Sequence, residues 1–168
     1  MLGLGSAGLA AYGFLREAGA TVMGWDVDEG MRRKAPSDFI LKNPYDDTPN
    51  TEDGEGHNIW NGVDYMLISP AIPANDKIVQ AAQNAGVVLK NDVDMLQEAV
   101  PDAVYIAVTG TSGKSTAVAL IAHILRYAGY DVAVGGHMGR PPLAMPTDMV
   151  AENNNTFYIL EIAAQQLE

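Results

Sequence analysis

The sequence predicts an α/β protein built on parallel sheets, and two observations carry that prediction. Short apolar runs alternate with amphipathic helical patterns along the chain, the order that crossover connections between parallel strands produce. Two glycine-rich loops, Gly3-Leu4-Gly5-Ser6-Ala7-Gly8 and Thr109-Gly110-Thr111-Ser112-Gly113-Lys114-Ser115-Thr116, each open a helical pattern.

Taken in order, helical periodicity runs from about Ala7 to Ala18 and stops at Gly19, and a strand follows at Thr21 to Trp25, ending on Asp26. Asp46, Asp47, Glu52, Asp53 and Glu55, interleaved with Pro44, Pro49, Gly54 and Gly56, read as a solvated acidic loop. Order returns with a strand at Tyr65 to Ser69, a helix from about Asn75 to Ala85 closed by Gly86, and a strand at Val87 to Leu89. Asp92 to Ala99 reads as a short helix, and Pro101-Asp102 marks a boundary, which divides the chain into residues 1–98 and 99–168. The second part opens with a strand at Val104 to Val108 and a helix from Ser115 to Ala128. Strands at Asp131 to Gly135 and Phe157 to Ile162 complete it.

At 168 residues and 48% hydrophobic content the chain can bury one good core or two small ones. A formal net charge of -11 sets general repulsion against nucleic acid and anionic membranes, so neither is expected as a partner. Anionic small ligands must then be held by loops and helix ends. The chain has no cysteine, which excludes disulfides and thiolate metal sites. No basic segment opens the chain, and the longest apolar stretch, Ala117 to Leu125 with His123 inside it, is too short to span a bilayer. The expectation is a cytoplasmic monomer.

The second loop has the composition of a phosphate cradle. Gly110 and Gly113 allow positive φ and bring successive N–H groups near an anion, and the helix that follows adds the positive end of its dipole. Lys114 supplies a cation for terminal phosphates, and Ser115 or Thr116 a hydroxyl for Mg2+. It is a variant of the P-loop, because Val108 holds the place of the first glycine and a glycine comes two positions later. The first loop admits two readings. Gly3-x-Gly5-x-x-Gly8 followed by Asp26 at the end of the next strand fits a dinucleotide fingerprint, as in an NAD(P) dehydrogenase, but also glycines needed only for a tight turn and helix packing. A second nucleotide loop about a hundred residues later has no use in a simple dehydrogenase.

The order Thr-Gly-Thr-x-Gly-Lys-Ser-Thr after an apolar strand resembles the ATP loop of the Mur ligases, ATP-dependent amide-forming enzymes of peptidoglycan precursor synthesis. Three further stretches match in order: Gly3 to Gly8, Ile68-Ser69-Pro70-Ala71-Ile72, and Tyr158-Ile159-Leu160-Glu161 running into Gln165-Gln166-Leu167-Glu168. The resemblance implies a Rossmann-like domain over residues 1–98 that holds the UDP of a sugar nucleotide, with Gly5, Ser6, Asp26, Ser69 and Pro70 at that site. It also implies that residues 99–168 begin a central P-loop ATPase domain. There Gly110, Thr111, Ser112, Gly113, Lys114, Ser115 and Thr116 hold ATP, Ser115 and Glu161 hold Mg2+, and Lys114 stabilises charge on the transferring phosphoryl group. His137, in Gly135-Gly136-His137-Met138-Gly139, replaces the family's asparagine near the γ-phosphate and the acceptor carboxylate, a catalytic and substrate-binding position.

The Lys-Ser-Thr ending looks most like the family members that add D-glutamate to UDP-N-acetylmuramoyl-L-alanine through an acyl phosphate. Ala71 stands where the family has glycine, and Ala163-Ala164-Gln165 where it has Ser-Ser-Phe. Another Mur-type ligase or a nucleotide-binding pseudoenzyme are the other readings within reach. Only Met1 and Leu2 precede the first glycine loop, and the family's remaining domains do not follow Glu168, so the expectation is a fragment without turnover of its own, missing its first strand.

Overall fold

The computed structural model describes residues 1–45, 59–69, 72–73, 75–136, 139–149 and 156–162. They form two compact units, Met1–Asn91 and Asp92–Glu168, each with its own parallel sheets and core.

In the first unit, strand β1 (Met23–Gly24) pairs with β2 (Ile40–Leu41), and β3 (Tyr65–Leu67) with β4 (Val88–Lys90), both in parallel. Leu2 forms parallel bridges to both Trp25 and Ile68 and so joins the two pairs. The strand that the sequence reading finds missing is therefore present as a stub in the central position. Helix α1 (Ser6–Glu17) buries Gly8, Ala11, Tyr12 and Leu15. Leu4, Tyr12 and Phe39 form one cluster, with the Tyr12 and Phe39 rings edge to face at 4.8 Å. A second cluster joins Leu2 and Met66 to Ile78, Val79 and Ala82 of helix α3 (Lys77–Asn84). Helix α3 begins at Lys77 because Asp76 is its N-cap, accepting from Ile78 N–H at 2.8 Å. Two small elements have no counterpart in the sequence reading. Helix α2 (Glu29–Arg32) is a single turn capped by Asp28, and β2 is two exposed residues, too short for any period to register.

The second unit has the strand order β5 (Val104–Val108), β7 (Thr156–Glu161), β6 (Asp131–Gly136), all parallel. Helix α5 (Lys114–Tyr127) covers the sheet through Val118 and Ala122, which pack with Val132 and Ile159. Helix α4 (Asp92–Ala99) packs on the 3-10 turn η1 (Pro142–Ala144). The Tyr105 hydroxyl ties α4 to β5 by donating to the carbonyls of Leu96 and Val100 at 3.1 and 2.9 Å, while its ring stacks on Tyr158 at 5.3 Å. Burial pushes the Tyr105 phenol up to about 12. The strand read at Val104 to Val108 has those bounds, and the other strand ends read from sequence differ from the observed ones by at most two residues, Thr21 to Trp25 shortening to Met23–Gly24. Among the described residues no helix is long and apolar enough to cross a membrane.

Candidate nucleotide-binding loops

Three strand ends meet at the carboxyl edge of the second sheet, because the register sets Val108 and Gly136 on either side of Glu161. This is the edge at which open α/β sheets bind ligands. Gly136 has φ +120°, and a Cβ there would lie 2.6 Å from the Glu161 nitrogen, so only glycine fits beside that carboxylate. Glu161 is buried, and its Oε2 accepts from Ser115 Oγ at 2.7 Å.

Between β5 and α5 the loop turns on Gly110 at φ +146° and Gly113 at φ +78°. Gly113 is the N-cap of α5 and offers no side-chain acceptor, and no acidic residue sits in the first turn. The first N–H groups of α5 are thus left for an external anion, at the positive end of a 14-residue helix. Lys114 Nζ folds back and donates to Gly110 O at 2.8 Å, and Thr111 and Ser112 are exposed. For a divalent ion the donor set is one carboxylate and one hydroxyl, both hard oxygens. Among the described residues no cluster of three or more His, Cys, Asp or Glu could hold a metal. That sparse set fits Mg2+, which takes one or two protein oxygens and completes its shell with phosphates and water. His137 lies outside the described residues.

The first unit gathers its predicted residues differently. Gly3, at φ +89°, lies so close to Ser69 that a Cβ would come 2.6 Å from Ser69 Cβ, and Ser69 N–H donates to Leu2 O at 3.1 Å. Asp26 Oδ2 accepts from Leu4 N–H at 2.7 Å and Oδ1 from Asp28 N–H at 2.9 Å. Asp26 is therefore not a bare strand-end carboxylate: it clamps the glycine loop, and a ligand hydroxyl would use the second lone pair of an occupied oxygen. Gly5 is the N-cap of α1 without a side-chain cap, and Ser6 is exposed beside it. Gly3, Gly5, Ser6, Asp26 and Ser69 come to one sheet edge; Pro70 lies outside the described residues, as does Ala71.

Sequence reasoning missed Arg32. Its Nη1 donates to the carbonyls of Asp26 and Val27 at 2.6 and 2.9 Å, and its guanidinium lies 4.4 Å from the centre of the Trp25 ring. Nothing in a polar single turn announces that role. Asp92, at the start of α4, is also unexpected: Oδ1 is buried without a hydrogen-bond partner, and burial raises the carboxyl above its ordinary range.

Each unit has parallel strands and a glycine loop leading into a helix, α1 or α5, whose N-cap makes no side-chain hydrogen bond, an arrangement able to receive an anion. No family model matches the chain. Among curated proteins it is similar along its whole length to UDP-N-acetylmuramoylalanine–D-glutamate ligases, sharing 33% identity over 176 residues with that of Rhizobium etli. The corresponding figures are 34% over 173 residues in Paramagnetospirillum magneticum and 32% over 175 residues in Wolbachia pipientis wMel. The chain spans about a third of these relatives' length, 34%, 35% and 31% respectively. Among solved structures, the murein peptide ligase mpl from Psychrobacter arcticus shares the fold, with a TM-score of 0.51 at 20% identity, over 95% of this chain and 36% of that one.

Proposed function

We propose that the chain supplies the sugar-nucleotide unit and the opening of the ATP unit of a ligase that joins D-glutamate to UDP-N-acetylmuramoyl-L-alanine at the expense of ATP. The observation that carries this reading is the Ser115–Glu161 pair, 2.7 Å apart beneath an uncapped helix start, in a chain whose relatives are named as such ligases. The residues divide the work by chemistry. Loop N–H groups from Gly110 to Ser115 bind and orient phosphate oxygens, and Lys114, freed from the Gly110 carbonyl, brings its ammonium to charge that grows during transfer. Ser115 and Glu161 would hold Mg2+, which supplies charge neutralisation at the phosphates when bound. In the other unit, the Gly3 to Ser6 loop and the start of α1 receive the diphosphate, while Asp26 fixes the loop and offers an acceptor to a hydroxyl.

Titration calorimetry tests the reading on the folded chain. Mg-ATP is expected to bind weakly, and Lys114→Ala to abolish the heat; unchanged binding in Lys114→Ala would remove this lysine from the site. Positioning of both acceptors supplies much of the rate in such transfers. With a span of about a third of its relatives, the 168-residue chain is therefore expected to bind without turnover. Phosphate release that requires both UDP-N-acetylmuramoyl-L-alanine and D-glutamate would overturn that expectation.

A further inference from the structure

At the carboxyl edge of the first unit, Arg32 is half-buried and makes no ion pair among the described residues, although Asp26, Asp28 and Glu29 put three carboxylates within four residues of chain. Its neighbour Arg33 does pair, with Glu29 at 2.7 Å. Arg32 Nη1 donates instead to two backbone carbonyls, those of Asp26 at 2.6 Å and Val27 at 2.9 Å.

The sheet explains why those carbonyls need a donor. Trp25 O accepts from Gly3 N–H at 2.9 Å, and the carbonyls of Asp26 and Val27 lie past that rung. The turn that follows returns a donor to them. Asp28 Oδ1 accepts from Gly30 N–H at 2.7 Å, and Asp28 O accepts from the N–H groups of Met31 and Arg32, both at 3.1 Å, which winds α2 and brings the Arg32 side chain back to residue 26. The Trp25 ring holds the guanidinium on a second side, with its centre 4.4 Å away. Fixed by carbonyls and ring, Arg32 does not collapse onto the Asp26 carboxylate, whose oxygens stay on Leu4 N–H at 2.7 Å and Asp28 N–H at 2.9 Å. Asp26 is thus held through its main chain by Arg32 and through its side chain by the glycine loop.

We propose, on the reading that this loop receives a sugar nucleotide, that Arg32 is a positioning residue of that site and acts through Asp26. It fixes the turn from Asp26 to Asp28 so that the Asp26 carboxylate reaches Leu4 N–H and keeps the glycine loop in the form that takes the diphosphate. Charge adds to geometry, because a guanidinium against the Asp26 main chain offsets a carboxylate that would otherwise repel an incoming diphosphate. Arg32 Nε and Nη2 have no hydrogen-bond partner among the described residues, and a double-mutant cycle separates action through Asp26 from direct contact of these donors with the ligand.

Arg32→Met in the 168-residue chain keeps an unbranched side chain beside Trp25 and removes the donors. It is expected to stay folded by circular dichroism, to speed amide exchange at Leu4 and Asp28 by about fivefold or more, and to weaken UDP-N-acetylmuramoyl-L-alanine binding in calorimetry by about tenfold. Arg32→Lys, whose ammonium has donors for both carbonyls, is expected to recover most of that affinity. In an Asp26→Asn background, where the side chain no longer accepts both N–H groups, Arg32→Met is expected to change affinity by less than about twofold. An equal loss in both backgrounds would show direct contact with the ligand and overturn the proposal, as would unchanged exchange at Leu4 and Asp28. If Arg32→Met fails to fold, Arg32→Gln, which can still donate to one carbonyl, takes its place with a smaller loss expected. Wild-type protein that binds no UDP-sugar would overturn the sugar-nucleotide reading and this role with it. Wild-type binding that Arg32→Met leaves unchanged would overturn the role of Arg32 alone.

Discussion

Met1 shows how one group records the state of the fold around it. Burial lowers its amino group from the ordinary value of 8.0 to about 6 while the nitrogen donates to Met23 O. Between these values the folded chain binds fewer protons than the unfolded one, so stability rises with pH from about 6 to about 8 and is lost on acidification through the same window. The full effect is up to about 2–3 kcal/mol. Urea unfolding at pH 6 and pH 8 is expected to show that gain, and Nα-acetylated protein to lose it. A pH-independent midpoint across the window would contradict the burial of this amine. The residue scale also limits what sequence could reveal. The spacing of Gly110, Gly113, Lys114 and Ser115 suggests a phosphate loop because each residue type has one evident use there, and the structure gives that stretch a glycine turn followed by the start of α5. It could not tell that Asp26 is already engaged by two backbone N–H groups, since that depends on how the glycine loop folds over it.

Strand β7 runs between β5 and β6, and its Tyr158 is fully buried with a hydroxyl that donates to Pro146 O at 2.6 Å. Tyr158→Phe leaves that carbonyl without its donor and is expected to cost about 1–2 kcal/mol in urea unfolding. A cost near zero would mean that water replaces the bond. Gly136→Ala must force a Cβ against the Glu161 backbone at a positive φ, and is expected to cost more than about 2 kcal/mol and to weaken Mg-ATP binding with it. Wild-type stability in that variant would contradict the close approach of β6 and β7. Helix α5 was legible in the sequence because one face of it is buried, and β7 because a central strand buried on both sides reads as a continuous apolar run. Strand β2 and the single turn α2 were not, because they are set by a pairing partner distant in sequence and by one Asx contact.

At the scale of the whole molecule, the two units have separate cores, and each contains a glycine loop leading into a helix, α1 or α5, whose N-cap makes no side-chain hydrogen bond. The alternation of strands and helices foretold parallel sheets, and relatives at 32–34% identity along the whole chain agree with the resemblance read from four short motifs. The central stub at Leu2 was not legible, because two residues are too few for any pattern and their place depends on pairing with Trp25 and Ile68. In the proposed function the first loop serves a sugar nucleotide and the second serves ATP. Hydrogen exchange on one protein sample with each ligand in turn tests it most directly. UDP-N-acetylmuramoyl-L-alanine is expected to protect amides around Gly5, Asp26 and Ser69, Mg-ATP those from Gly110 to Thr116, and NAD neither. Protection of the first loop by NAD, with none from the UDP-sugar, would contradict the account.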